Sequence, residues 1–228
     1  MKSVDLKRLQ IDQAKYSQLE TNTGREALWQ EIGQECANSS LIGLLEESIA
    51  LPGEIIELGV YRGASILRLA HTVKSAEAKK TIYACDSFEG FPDNRLTRED
   101  TSFFRPISRL KRKFTVAQDV PGNLDAFFSA YGVDGRIVKG YFENTLPTLD
   151  IKQICFAHID CDTYSSHIEC LAYVYPRLVC GGIIVLDDYK QPKWPGATQA
   201  VDEFFADKPE TVNLSEARPD NAWYVRKA

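Results

Sequence analysis

The feature that most constrains this chain is an alternation that begins at Glu54, where short β-rich runs take turns with helical stretches. In order these are EIIEL, ASILRLAHTVKSA, TIYACD, RIVKG, ICFAHID, ECLAYVYPRL and GIIVLDD. The strands are near-continuous apolar runs, as strands buried on both faces must be, and each is followed by a stretch long enough for a covering helix. The pattern predicts an α/β fold: a doubly wound, mostly parallel sheet of Rossmann-like type. A helix is expected at about 197–206, and TVNL and AWYVR read as two late strands forming an antiparallel hairpin at a sheet edge.

Upstream, residues 5–50 mix charged and apolar residues at helical spacing. Thr23 before Gly24-Arg25-Glu26 offers a cap, and Leu41, Leu44, Leu45 and Ile49 form an apolar stripe. This predicts an N-terminal helical segment over 1–50 packing on a single domain over 51–228. The stretch 92–114, PDNRLTREDTSFFRPISRLKRKF, lacks steady periodicity and reads either as a lid over a ligand or as a solvated insertion.

Composition narrows the partners. The chain has 228 residues with 44% hydrophobic side chains, enough for a proper core, and 27 basic against 32 acidic residues give a net charge of −5. That balance gives no footprint for a polyanion, so no nucleic-acid partner is expected. The N-terminus MKSVDLKRLQIDQAK has no apolar leader region, and no run approaches 18 apolar residues, so neither secretion nor membrane spanning is expected and a cytoplasmic location follows by default. Cys36, Cys85, Cys155, Cys161, Cys170 and Cys180 form no C-x-x-C pair and read as reduced thiols.

The first strand, EIIEL, runs into Gly59-Val60-Tyr61-Arg62-Gly63 before a helix opening at about Ala64. In open α/β sheets ligands bind beyond the carboxyl ends of the strands, so this turn is either a ligand loop or a structural tight turn. A dinucleotide fingerprint would need glycine where Tyr61 stands, and the Gly-Lys-Ser/Thr of a phosphate-binding loop is missing. A donor without phosphates, such as S-adenosylmethionine with its carboxylate, fits better. The second strand ends in Asp86, placed to accept hydrogen bonds from the ribose hydroxyls of an adenosine ligand or, alternatively, to cap a helix. Ser87 beside it belongs to the same candidate cofactor edge and is the better helix cap of the two.

Two further strands end in acids: ICFAHI before Asp160-Cys161-Asp162, and GIIVL before Asp187-Asp188. If these strands are neighbours, three or four carboxylates converge, which is unfavourable unless protons or a cation neutralise them. A hard cation fits oxygen ligands, Mg²⁺ first and Ca²⁺ or Mn²⁺ next. The acids could instead be caps or solvated loop residues. His158, inside its strand, reads as a core or supporting residue rather than a ligand, and His167 on the following helix is a weaker candidate still.

EIIELGVYRG, ACDSFEGFP, KGYFENTLP, HIDCDTY, YPRLVCGGIIVLDDY and PGATQAVDEFF together resemble the macrocin O-methyltransferase family, which methylates sugar hydroxyls in natural products. The resemblance covers roughly residues 50–206. It implies a class I methyltransferase fold, S-adenosylmethionine as donor, and Mg²⁺ held by Asp160, Asp187 and Asp188, with Asp160 beside the cofactor as general base. It implies that Glu57, Gly59 and Gly63 line the methionine part, and that Tyr141 and Phe142 border the adenine, although the pair could also be plain core. Residues 1–50 and 92–114 are the least similar, which leaves the acceptor open. Arg62, Arg95 and Trp194 read as exposed candidates for substrate or cofactor contacts or, alternatively, as ordinary surface or rim residues.

The expected activity is metal-dependent O-methylation of a small-molecule hydroxyl, most simply a sugar. A catechol or other vicinal diol is the alternative acceptor. A non-catalytic adenosine-binding protein is opposed by the aspartates, and a nicotinamide oxidoreductase by Tyr61. The oligomeric state is left open, a homo-oligomer included.

Overall fold

The computed structural model describes residues 11–91, 96–98, 100, 119–216, 218 and 220–228. Seven strands form one sheet in the order β3-β2-β1-β4-β5-β7-β6: β1 Glu54–Leu58, β2 Ile82–Asp86, β3 Gly135–Lys139, β4 Ile154–Ile159, β5 Leu178–Leu186, β6 Asn213–Ser215 and β7 Ala222–Arg226. The first five are parallel, whereas β7 runs antiparallel to β5 and β6 antiparallel to β7. The late hairpin expected from TVNL and AWYVR is therefore present at the edge, with β7 on its inner side.

The helices are α1 Gln13–Tyr16, α2 Asn22–Ala37, α3 Ser40–Ser48, α4 Ala64–Ser75, α5 Val120–Tyr131, α6 Phe142–Thr145, α7 Tyr164–Val174 and α8 Pro195–Phe205. Side chains on a strand alternate between faces, and the central strands divide accordingly. Ile55, Phe156, Ile183 and Val185 face a core built with α2 to α5, among them Leu28, Ile32, Leu45, Ile66, Leu69 and Phe127. Ile56, Leu58, Ala157, Ile159, Ile184 and Leu186 face the other, built with Cys170, Leu171 and Val174 of α7 and Val201 and Phe205 of α8. Burial on both sides explains why these strands read as continuous apolar runs.

Local chemistry sets the helix ends. α2 is capped by Thr21, whose side chain accepts from the Gly24 amide, rather than by Thr23 as the sequence pattern suggested. Thr21 has the extended backbone that a cap needs, and Thr23 already lies inside the helix. Asp119 caps α5 and Pro121 occupies its first turn, while Gly132 ends it in the left-handed conformation at φ 62°. The segment 92–114 lies outside the described residues apart from Leu96, Thr97, Arg98 and Asp100, and Arg95 falls outside them as well. Among the described residues no helix is long and apolar enough to cross a membrane.

Candidate active site

The chain order reverses between β1 and β4, the neighbouring strands at the centre of the sheet. Such a switch point opens a crevice beyond the carboxyl strand ends, and a cavity of about 280 Å³ lies there. Its lining runs from Gly59, Tyr61, Asp86 and Ser87, past Tyr141, Phe142 and Glu143, to Asp160, Asp162, Asp187, Asp188, Lys193 and Trp194. The residues proposed separately from strands β1, β2, β4 and β5 thus share one crevice. Two do not line it: Glu57 is buried within β1, and Gly63 faces Tyr16 and Leu124 on the side of the N-terminal helices.

Gly59 explains how the centre is assembled. It has φ 98°, and a Cβ on it would stand 1.8 Å from the carbonyl oxygen of Asp160. Only glycine permits β1 to leave the sheet this close to β4. The Asp160 amide also donates to the Leu58 carbonyl at 2.9 Å, so the backbone of the first turn fixes the backbone of the acid.

Asp86 clasps that same turn. Its Oδ2 accepts from the amides of Val60 and Tyr61 at 2.7 and 2.8 Å, and its Oδ1 accepts from the Phe88 amide at 2.7 Å. Such charge-assisted bonds hold the loop rigidly, and of the four lone-pair sites of the carboxylate they leave one, on Oδ1, for a ribose hydroxyl. Neither Asp86 nor Ser87 caps a described helix: the Ser87 hydroxyl donates to the Gly90 carbonyl and accepts from the Glu89 amide, closing a turn.

Non-glycine residues with left-handed backbone stand after each of the four central strands: Tyr61 after β1, Phe88 after β2, Asp162 after β4 and Lys190 after β5, with φ between 52° and 62°. Each costs on the order of 1 kcal/mol, and concentrations of such conformations mark sites that the surrounding structure holds in place. At Asp162 the benefit is visible, because its amide is turned to donate to Asp188 Oδ2 at 2.8 Å.

β4 and β5 pair in parallel register with Ile159 beside Leu186, and the Asp187 amide donates to the Ile159 carbonyl at 3.0 Å. Asp160 and Asp187 therefore leave adjacent strand ends together. Ligand-capable atoms of His158, Asp160 and Asp187 lie within 4.8 Å of one another. Asp188 lines the same crevice but turns Oδ2 to the Asp162 amide, with His167 Nε2 at 4.0 Å. Beneath them His158 Nδ1 lies 2.8 Å from Glu57 Oε1, and both side chains are buried. Glu57 Oε2 has no hydrogen-bond partner among the described residues. The Glu57–His158 contact was not visible in the sequence, where the residues stand a hundred positions apart; their shared place in the β1–β4 register, Glu57 beside His158, is what joins them.

The electrostatics follow from the crowding. Burial, then the charges of Asp187, Asp188 and Asp162, hold the Asp160 carboxyl well above the usual carboxylate range. Burial and the neighbouring Asp188 do the same to Asp162. Burial and Asp187 push Asp188 up to about 7. An oxygen-rich, proton-hungry set of this kind fits a hard divalent cation, which would replace the protons. A raised carboxyl pKa means that the folded chain keeps protons which the unfolded chain has lost from about pH 4 upward. Stability present below pH 4 is therefore lost as the pH rises toward 7. Metal-free protein should melt at a higher temperature at pH 5 than at pH 8 in a thermal scan, and millimolar Mg²⁺ should raise the midpoint at pH 8 but not at pH 5. Equal midpoints at both pH values, with and without Mg²⁺, would contradict this.

Trp194 is not exposed as its sequence context suggested: it is 5% exposed, packed edge-on against Phe91 with ring centroids 6.0 Å apart. Arg62 is exposed, its guanidinium 5.2 Å from the Tyr61 ring centroid, and its carbonyl accepts from the Tyr16 hydroxyl at 2.9 Å. Tyr141 and Phe142 are half-buried, and Phe142 both lines the cavity and packs on the core.

This strand order, with its crevice at the β1–β4 switch point, is the class I methyltransferase fold. The solved O-methyltransferase NovP superposes with a TM-score of 0.70 at 26% identity, covering 82% of this chain and 78% of that one. A calicheamicin methyltransferase, CalS11, shares the fold with a TM-score of 0.72 at 22% identity, covering 93% and 91%. Residues 34–226 match the family described as Macrocin-O-methyltransferase (TylF), and the chain belongs to that family. It is 29% identical to the mycinamicin III 3''-O-methyltransferase of Micromonospora griseorubida over 75% of this chain and 65% of that protein. It is likewise 29% identical to the demethyldecarbamoylnovobiocin O-methyltransferase of Streptomyces niveus over 68% of this chain and 59% of that protein. The matched stretch thus spans less than two thirds of the length of these relatives.

Proposed function

We propose that the chain transfers the methyl group of S-adenosylmethionine to a hydroxyl of a small molecule, a sugar moiety of a natural product or saccharide, with Asp160, Asp187 and Asp188 holding a divalent cation, Mg²⁺ first. The observation that carries this reading is the gathering of those carboxylates in the crevice that also holds the Asp86-clasped turn. The relatives are named as O-methyltransferases, and the named acceptor of a further relative from Streptomyces olivaceus carries a rhamnosyl group, which supports the acceptor class.

On this reading Asp86 accepts from a ribose hydroxyl through Oδ1, and Tyr141 and Phe142 border the adenine. Gly59 borders the methionine part from the crevice wall, and Glu57 acts from behind it, buried in β1 against His158. A bound cation would lower the pKa of an acceptor hydroxyl that reaches it. The Asp160 carboxylate takes that proton as general base while the acceptor oxygen bonds to the methyl carbon and the carbon–sulfur bond breaks. Alignment of the reacting atoms supplies most of the remaining advantage. The aromatic wall of Phe91 and Trp194 excludes water at the far end and offers an apolar face to a pyranose ring.

The test is an acceptor screen with methyl-labelled donor, comparing deoxysugar glycosides, nucleotide sugars and catechols, each with Mg²⁺ and with EDTA. Label is expected in the sugars and only with Mg²⁺. Transfer confined to catechols would overturn the sugar assignment, and transfer undiminished by EDTA would remove the cation.

A further inference from the structure

Asp100 lies in the connection between β2 and α5, far from the sheet in sequence, yet its side chain is 4% exposed. Its Oδ1 accepts from the Tyr164 amide, in the first turn of α7, at 2.6 Å. Its Oδ2 accepts from the Thr97 amide at 2.8 Å and from the Thr97 hydroxyl at 3.0 Å. A Cβ on Gly196 would stand 2.4 Å from Asp100 Oδ1 and 3.1 Å from the Tyr164 Cβ, so the first turn of α8 is bare where the carboxylate passes.

One buried carboxylate thus sits between the first turns of two helices. The residues just before those helices wall the cavity: Asp160, Cys161 and Asp162 ahead of α7, Lys193 and Trp194 ahead of α8. α8 has no side-chain cap of its own, since Trp194 stands at its cap position. A negative charge beside both first turns is therefore favourable. Leu96, four residues before Asp100, packs on Phe91, Trp194 and Ala197. The anchor and the small aromatic cluster are continuous.

We propose that Asp100 is a positioning residue that fastens the Phe91–Trp194 wall to the α7–α8 pair and so shapes the acceptor end of the crevice without touching either substrate. That this end receives an acceptor rests on the methyl-transfer reading; the fastening of the wall does not. A residue that only capped α7 would lower stability without loosening Trp194 in the folded state.

The three tryptophans, Trp29, Trp194 and Trp223, make this testable by fluorine NMR of the full chain labelled with 5-fluorotryptophan, with the Trp194 line assigned by Trp194→Phe. Asp100→Ala is expected to move the Trp194 line toward the position of a solvent-exposed indole and increase its solvent isotope shift. Trp29 of α2, stacked on Tyr131 of α5, should hold its place, and calorimetry should give an unchanged S-adenosylhomocysteine affinity. Asp100→Asn, which keeps an oxygen for the Tyr164 amide, is expected to return the Trp194 line toward wild type. An unmoved Trp194 line in Asp100→Ala, or all three lines moving together, would overturn the proposal. Failure of the wild-type chain to bind S-adenosylhomocysteine would instead count against methyl transfer, and the tryptophan readout would stand apart from it.

Discussion

Asp160→Asn is expected to lower turnover of a methylated acceptor about a thousandfold, the scale of losing a general base, while S-adenosylhomocysteine still binds with nearly wild-type affinity. The substitution is close to isosteric and leaves the backbone untouched. The Asp160 amide still reaches the Leu58 carbonyl, and the contact of its own carbonyl with Gly59 is preserved. The lost item of chemistry is the charge that, on the proposed reading, accepts the proton and helps to hold the cation. Removing one of several crowded, buried carboxylates also relieves repulsion, so the metal-free variant is expected to melt no lower than wild type at pH 8. Loss of activity accompanied by equal or greater stability separates a chemical role from a folding defect. A variant that turns over at the wild-type rate would show that another group takes the proton.

How much of this was readable in the sequence depends on the range of the interactions concerned. β1, β2, β4 and β5 announced themselves because strands packed on both faces are near-continuous apolar runs, and their terminal acids stood out against those runs. That Asp160 and Asp187 would meet required only that the two strands be neighbours, and the β4–β5 pairing supplies this. In the sequence, Gly59 reads as part of either a ligand loop or a structural tight turn. Its steric reason, a 1.8 Å approach to the Asp160 carbonyl, belongs to the packing of β1 on β4 and leaves no local signal.

The same limit hid Asp100, whose partner amide is 64 residues away, and the burial of Trp194, which depends on Phe91 and Leu96. The cap of α2 was misplaced by two residues because Thr21 and Thr23 offer the same hydroxyl. Backbone geometry, set by how the preceding short turn enters the helix, chose between them. Tyr61, Phe88, Asp162 and Lys190 carry left-handed backbone although none is glycine; propensity argues against each, and only the assembled carboxyl edge holds them so.

The second large effect concerns the cation. His158, Asp160 and Asp187 present ligand-capable atoms within 4.8 Å, and Asp188 completes an acidic rim in which burial and neighbouring charge hold the Asp160 and Asp188 carboxyls above the usual carboxylate range. A set of acids this crowded costs stability at neutral pH when nothing neutralises it, which is the signature expected of residues kept for a metal. Asp187→Asn removes one oxygen donor without disturbing the Asp187 amide bond to Ile159. It is expected to weaken cation binding by about a hundredfold or more, since loss of a residue that merely supports a ligand already costs up to about that much, and to reduce turnover with it.

The most direct measurement is an electron paramagnetic resonance titration of Mn²⁺, run on the full chain with S-adenosylhomocysteine present. Wild type should bind a single ion that Mg²⁺ displaces, and Asp187→Asn should leave nearly all the Mn²⁺ free at the same concentrations. A wild-type chain that leaves Mn²⁺ free, or a variant that binds it as tightly as wild type, would contradict the assignment of the strand-end aspartates to a cation.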